Sequence, residues 1–86
     1  MLWERFMGQK IKQDISIGEN IRKLRKKKKL TQEQMTAKLQ LRNSNITRSI
    51  YSQIECGTYS IRVSELLAIA DILECDINTL FNIKNG

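Results

Sequence analysis

The chain has 86 residues, a net charge of +6, no histidine, no proline and two cysteines. That length fits one small domain, and a hydrophobic content of 41% is enough for one core. Without histidine, and with Cys56 and Cys75 far apart, the composition argues against a zinc site and a disulfide framework. It offers no nucleophile–base pair and no phosphate-cradling glycine loop, so we expect neither an enzyme nor a cofactor.

The charge is uneven. Residues 1–40 carry eleven Lys/Arg against four Asp/Glu (+7), and residues 41–86 carry four against five (−1). A basic half suits a polyanion partner, although a solvated helix face gives the same composition. The start, Met1-Leu2-Trp3-Glu4-Arg5-Phe6, lacks the apolar run of a secretory leader. No stretch approaches the ~20 apolar residues of a membrane span. A cytoplasmic location is therefore expected, with no membrane partner.

In chain order, residues 1–15 form a mixed extension that reads either as a short amphipathic helix through Trp3, Phe6, Met7 and Ile11 or as a disordered segment. A first helix is expected from Ser16 to Lys28, with Ile17, Ile21 and Leu24 on one stripe. Its basic end, Lys26 to Lys29, suits the negative pole of the helix dipole as well as a phosphate backbone. A second helix is expected from Gln32 to Gln40, with Met35 and Leu39 inward. Thr31 stands at its N-cap and Gln34 three residues on, a capping box. A third is expected from Arg48 to Cys56, capped by Thr47 and closed by Gly57 in the left-handed region. On it Ile50, Tyr51 and Ile54 form one arc. Ser49, Ser52 and Cys56 lie opposite, flanked by Arg48 and Gln53. A fourth helix is expected from Val63 to Leu73, with Leu66, Ile69, Ala70 and Leu73 inward, and a short fifth from Ile77 to Asn82, capped by Asp76.

Two short capped helices joined by a polar connection, only the second bearing small and hydrogen-bonding side chains outward, have the layout of a helix-turn-helix. Four motifs in order and spacing carry a closer resemblance: Ile17-Gly18-Glu19-Asn20-Ile21-Arg22-Lys23-Leu24-Arg25, Leu30-Thr31-Gln32-Glu33-Gln34, Ser52-Gln53-Ile54-Glu55-Cys56-Gly57 and Asp76-Ile77-Asn78-Thr79-Leu80-Phe81. Together they resemble the Cro/lambda-repressor-like (XRE-type) helix-turn-helix family over residues 16–82. The expected fold is therefore all-α, a compact five-helix lambda-repressor-like DNA-binding domain between the 1–15 extension and a tail at 83–86.

The resemblance implies site residues. Gln32, after the cap of the second helix, would donate to a DNA phosphate beside that helix's N-terminus. Base reading would fall to Arg48, Ser49, Ser52 and Gln53. Arg48 would pair with guanine or bind phosphate, and Gln53 would pair with adenine. Thr47 would cap the third helix and touch a phosphate. Tyr59 and Arg62 would follow the backbone beyond Gly57. Arg25 and Glu55 would form an ion pair locking the third helix to the scaffold. Gln40 stands where the family usually has a glycine, and Leu41-Arg42-Asn43-Ser44-Asn45 lengthens the link, as in a sub-group of the family. That link offers Arg42 and Asn43 as further phosphate contacts.

The expected function is sequence-specific binding of double-stranded DNA by a transcriptional regulator, a repressor of the small phage- or plasmid-like kind acting as a homodimer. The alternative is an antitoxin-like protein-interaction module, with a protein partner and autoregulatory DNA binding.

Overall fold

The computed structural model describes Lys10–Ile11 and residues 17–81. In chain order the elements are β1 (Lys10–Ile11), α1 (Ile17–Lys27), α2 (Gln32–Leu41), α3 (Arg48–Cys56), β2 (Ile61–Arg62), α4 (Val63–Ile72) and α5 (Ile77–Phe81). The fold is all-α, with each expected helix present to within a residue or two at its ends. Ser16, Asn82, the 83–86 tail and most of the 1–15 extension lie outside the described residues.

Within the extension, Lys10 and Ile11 are extended and pair antiparallel with β2, Lys10 opposite Arg62 and Ile11 opposite Ile61. Two-residue strands are too short to leave a period-2 pattern in the sequence. The pairing ties the chain before α1 to the segment between α3 and α4.

The helices start where their caps dictate. Thr31 Oγ1 accepts from Gln34 N at 3.0 Å and Gln34 Oε1 accepts from Thr31 N at 2.8 Å, so both halves of the capping box form. Thr47 Oγ1 accepts from Ile50 N at 3.2 Å. At α4, the Glu65 carboxylate reaches back to the Arg62 N–H at 2.9 Å. Asp76 Oδ1 accepts from the N–H and hydroxyl of Thr79 at 2.8 and 2.7 Å, and these bonds hold its carboxyl below the usual range.

Four of the helices end alike. After α1, α2, α3 and α4 the chain turns through a left-handed residue: Lys29 (φ 60), Asn43 (φ 61), Gly57 (φ 80) and Glu74 (φ 55). Each turn carries the paired bonds of a Schellman motif, such as Leu30 N to Arg25 O and Lys29 N to Lys26 O after α1. Only one of the four uses glycine, the residue without a steric penalty there. Asn43, in the lengthened link, closes α2 three residues beyond Gln40, which is helical. The longer link is thus partly one further residue of helix and a closing turn.

The core is continuous. Ile17 and Ile21 of α1, Met35 and Leu39 of α2, Tyr51 and Ile54 of α3, Leu66 and Ile69 of α4 and Leu80 of α5 are all buried. Ile46 and Ile61, outside the helices, are buried with them, at about 1.5–3 kcal/mol of burial apiece. α1 packs on α3 and α5, and α2 packs on α3 and α4. Asn20 Nδ2 donates to Leu80 O at 2.9 Å, fastening α5 to α1. α3 is therefore held on its inner side by α1 and α2, and its other side faces outward.

Candidate nucleic-acid interface

α3 is two-faced. Tyr51, Ile54 and Glu55 are buried, and Ile50 and Ser52 are half-buried. Arg48, Ser49, Gln53 and Cys56 are exposed. Of the four expected base-reading residues, three stand fully outward, and Ser52 sits at the margin.

The inner side is fixed by a chain of polar groups running across three helices. Arg25 of α1 meets Glu55 of α3 bidentately, with Nε to Oε2 at 2.7 Å and Nη2 to Oε1 at 3.1 Å. Its remaining Nη1 donates to Leu30 O at 2.7 Å. The two side chains are 9% and 3% exposed, so the pair is largely removed from water. Gln32 of α2 donates its Nε2 to Glu55 Oε1 at 3.0 Å. That fixes the amide orientation and turns Gln32 Oε1 toward α3, where it accepts from Arg48 Nε at 3.0 Å. Arg48 Nη1 lies 3.5 Å from Glu33 Oε1, an exposed and weaker contact.

Burial pushes the Glu55 carboxyl up, but the hydrogen bonds from Arg25 and Gln32 outweigh it and hold the group below the ordinary carboxylate range. Glu55 in turn raises Arg25 against the opposing effect of burial. The Tyr51 hydroxyl is fully buried beside them. It lacks hydrogen-bond geometry to any partner yet remains within reach of the Glu55 charge. Desolvation first, and that carboxylate second, lift the phenol well above its usual range.

The expected phosphate contacts fall into two groups. Thr47 and Arg62 are exposed at the N-caps of α3 and α4, and Asn43 is exposed in the turn after α2. Gln32 is half-buried and keeps one amide hydrogen beyond its bond to Glu55. Arg42 and Tyr59, by contrast, already carry partners. Arg42 donates Nε and Nη2 to Asp71 Oδ2 at 3.0 and 2.9 Å. The Tyr59 hydroxyl donates to Glu65 at 3.1 Å, and burial followed by that carboxylate raises its pKa. A phosphate would have to displace the carboxylate at Tyr59, whose hydroxyl has a single hydrogen, whereas Arg42 keeps guanidinium hydrogens beyond those given to Asp71.

Sequence reasoning did not reveal the acidic partners. Glu65 had a detectable signal, because it stands at N3 of α4, where a carboxylate can reach back to the cap. Asp71 had none, being 29 residues from Arg42. Glu33 and Glu74 likewise meet cations on other elements.

Cys56 and Cys75 are free thiols, the first exposed and the second partly buried, with burial raising the Cys75 pKa. Among the described residues no group of three or more His, Cys, Asp or Glu is placed to hold a metal ion. None of the described helices is long and apolar enough to cross a membrane.

Residues 18–86 match a family described as a helix-turn-helix domain. The chain is also 39% identical over 63 residues to the uncharacterized HTH-type transcriptional regulator YqaE of Bacillus subtilis (strain 168), an alignment covering 73% of this chain and 50% of that protein. The chain thus spans about half the length of this curated relative. No solved structure matches the present chain.

Proposed function

Because the chain belongs to the XRE-type helix-turn-helix family, we propose that it is a transcriptional regulator that binds double-stranded DNA with the outward face of α3 in the major groove. The observation that carries this reading is the contrast across α3. Its inner face is tied to α1 and α2 through Arg25, Glu55 and Gln32, and Arg48, Ser49 and Gln53 stand exposed. A helix held this way presents side chains to base edges without losing much further orientational freedom on binding.

Arg48 acts as the guanine reader. Its Nε is occupied by Gln32 Oε1, which leaves the terminal Nη1 and Nη2 edge for bidentate pairing with O6 and N7 once Glu33 is displaced. Gln53 supplies the adenine contact, and Ser49 and Ser52 add weaker discrimination. Thr47, Gln32, Asn43 and Arg62 contact phosphates and set the register. Arg42 joins them through the guanidinium hydrogens that Asp71 leaves free, and Tyr59 only after releasing Glu65. The protein acts as a cytoplasmic, nucleoid-associated repressor, as a homodimer on two half-sites about 34 Å apart.

The test is selection of bound sequences from a randomised duplex library, followed by titration of the winner against salt. A two-fold symmetric motif, bound far above random DNA and with affinity falling as a steep power of salt, is the expected result. Salt-sensitive binding without any enriched motif would overturn the reading.

A further inference from the structure

A second charged surface lies away from α3. Lys27 and Lys28 at the end of α1 and Lys38 of α2 border an open groove that Leu30, Ile72 and Glu74 also line. No residue of α3 or of the segment from Gly57 to Arg62 lines it. Leu30 is half-buried, Ile72 is buried, and the three lysines are exposed.

The groove forms where two closing turns face each other. Lys28 and Lys29 end α1, and Leu73 and Glu74 end α4, each through a left-handed residue. At that position glycine is free of steric penalty, yet residue 74 is glutamate at φ 55. Its carboxylate lies 2.6 Å from Lys28 Nζ. Among the described residues Lys27 and Lys38 have no acidic partner. An acidic group thus stands at one of three cationic positions.

We infer that this groove is a docking site for an acidic protein segment carrying an apolar side chain, with Glu74 as its intramolecular stand-in on Lys28. The partner's carboxylates pair with Lys27, Lys38 and, after Glu74 swings away, Lys28. Its apolar side chain covers Leu30 and Ile72. The apolar side chains of Leu30 and Ile72 favour a peptide over a nucleic-acid backbone, which offers no aliphatic side chain to set against them.

The test uses the full chain and a labelled peptide of glutamates with leucines at helical i, i+3, i+4 spacing, read by fluorescence anisotropy. Nuclear magnetic resonance maps the contact on the unaltered protein, with shifts expected at Leu30, Ile72 and Glu74. The double charge reversal Lys27→Glu/Lys38→Glu should weaken the peptide about tenfold. The control Arg22→Glu/Lys23→Glu changes net charge equally outside the groove and should leave affinity unchanged. Glu74→Gln should strengthen binding a few-fold, because it removes the internal competitor. Equal losses in the two double variants would reduce the effect to net charge and overturn the proposal. So would shifts confined to other surfaces, or no gain from Glu74→Gln. If Lys27→Glu/Lys38→Glu weakened binding to the selected DNA as much as Arg48→Ala does, the groove would be a phosphate surface and the proposal would fail.

Discussion

The ion pairs Arg25–Glu55 and Arg42–Asp71 use the same chemistry to opposite ends. Both join an arginine to a carboxylate on another helix, at 2.7 and 2.9 Å. The first has side chains 9% and 3% exposed, the second 41% and 71%. Out of water, each partner of the first pair depends on the other, and Gln32, held at 3.0 Å, extends the dependence to Arg48. In water, the second pair competes with solvent and salt, and either partner can leave at little cost. The buried pair is therefore a lock on the orientation of α3. The exposed pairs of Arg42, Arg48 and Lys28 are contacts a ligand can replace.

The largest expected effect tests the lock. Glu55→Ala strands Arg25 in a nearly dry site and should lower unfolding free energy by about 3–5 kcal/mol in a urea titration. The same lock has a pH signature. Glu55 is depressed in the folded state, so its contribution is fully present above the unfolded carboxyl pKa of about 4.3 and is lost as pH falls through the folded value. Stability followed from pH 7 into acid should fall in that window, and more shallowly for Glu55→Gln. An unchanged acid limb would mean the pair is not the lock described.

On the outward side the loss should appear in binding and not in folding. Arg48→Ala should cost about 1–3 kcal/mol on the selected DNA site, relax preference at one base pair, and leave the urea midpoint nearly unmoved. A comparable loss of stability would erase the distinction between the two faces of α3. Lys29→Gly, at a left-handed position with an exposed side chain, should stabilise the fold by up to about 1 kcal/mol. The smallest effect belongs to the exposed pair. A double-mutant cycle on Arg42→Ala and Asp71→Ala should return a coupling of about 0.2–1 kcal/mol that shrinks with added salt. A salt-independent coupling of several kcal/mol would show that exposure does not separate the two pairs.

Much of the fold was legible because it is written locally. Thr31 with Gln34, Thr47 with Gly57, and Asp76 mark helix ends within a few residues of themselves, and Ile17/Ile21 and Leu66/Ile69/Leu73 show their buried stripes by period alone. The outward face of α3 followed from the same 3.6-residue geometry. Three features were not legible. Ile46 and Ile61 enter the core from non-helical segments without periodicity, and β1 pairs with β2 across about fifty residues of chain. Asp71, Glu33 and Glu74 find their cations only when distant elements pack.

The sequence by itself thus determined five helices, their caps, one core and the helix that faces outward, because those depend on neighbours three or four residues away. Only the tertiary structure decided which charges are locked and which can be given up. Desolvation is a property of packing between elements, and it separates Arg25–Glu55 from the other arginine–carboxylate pairs.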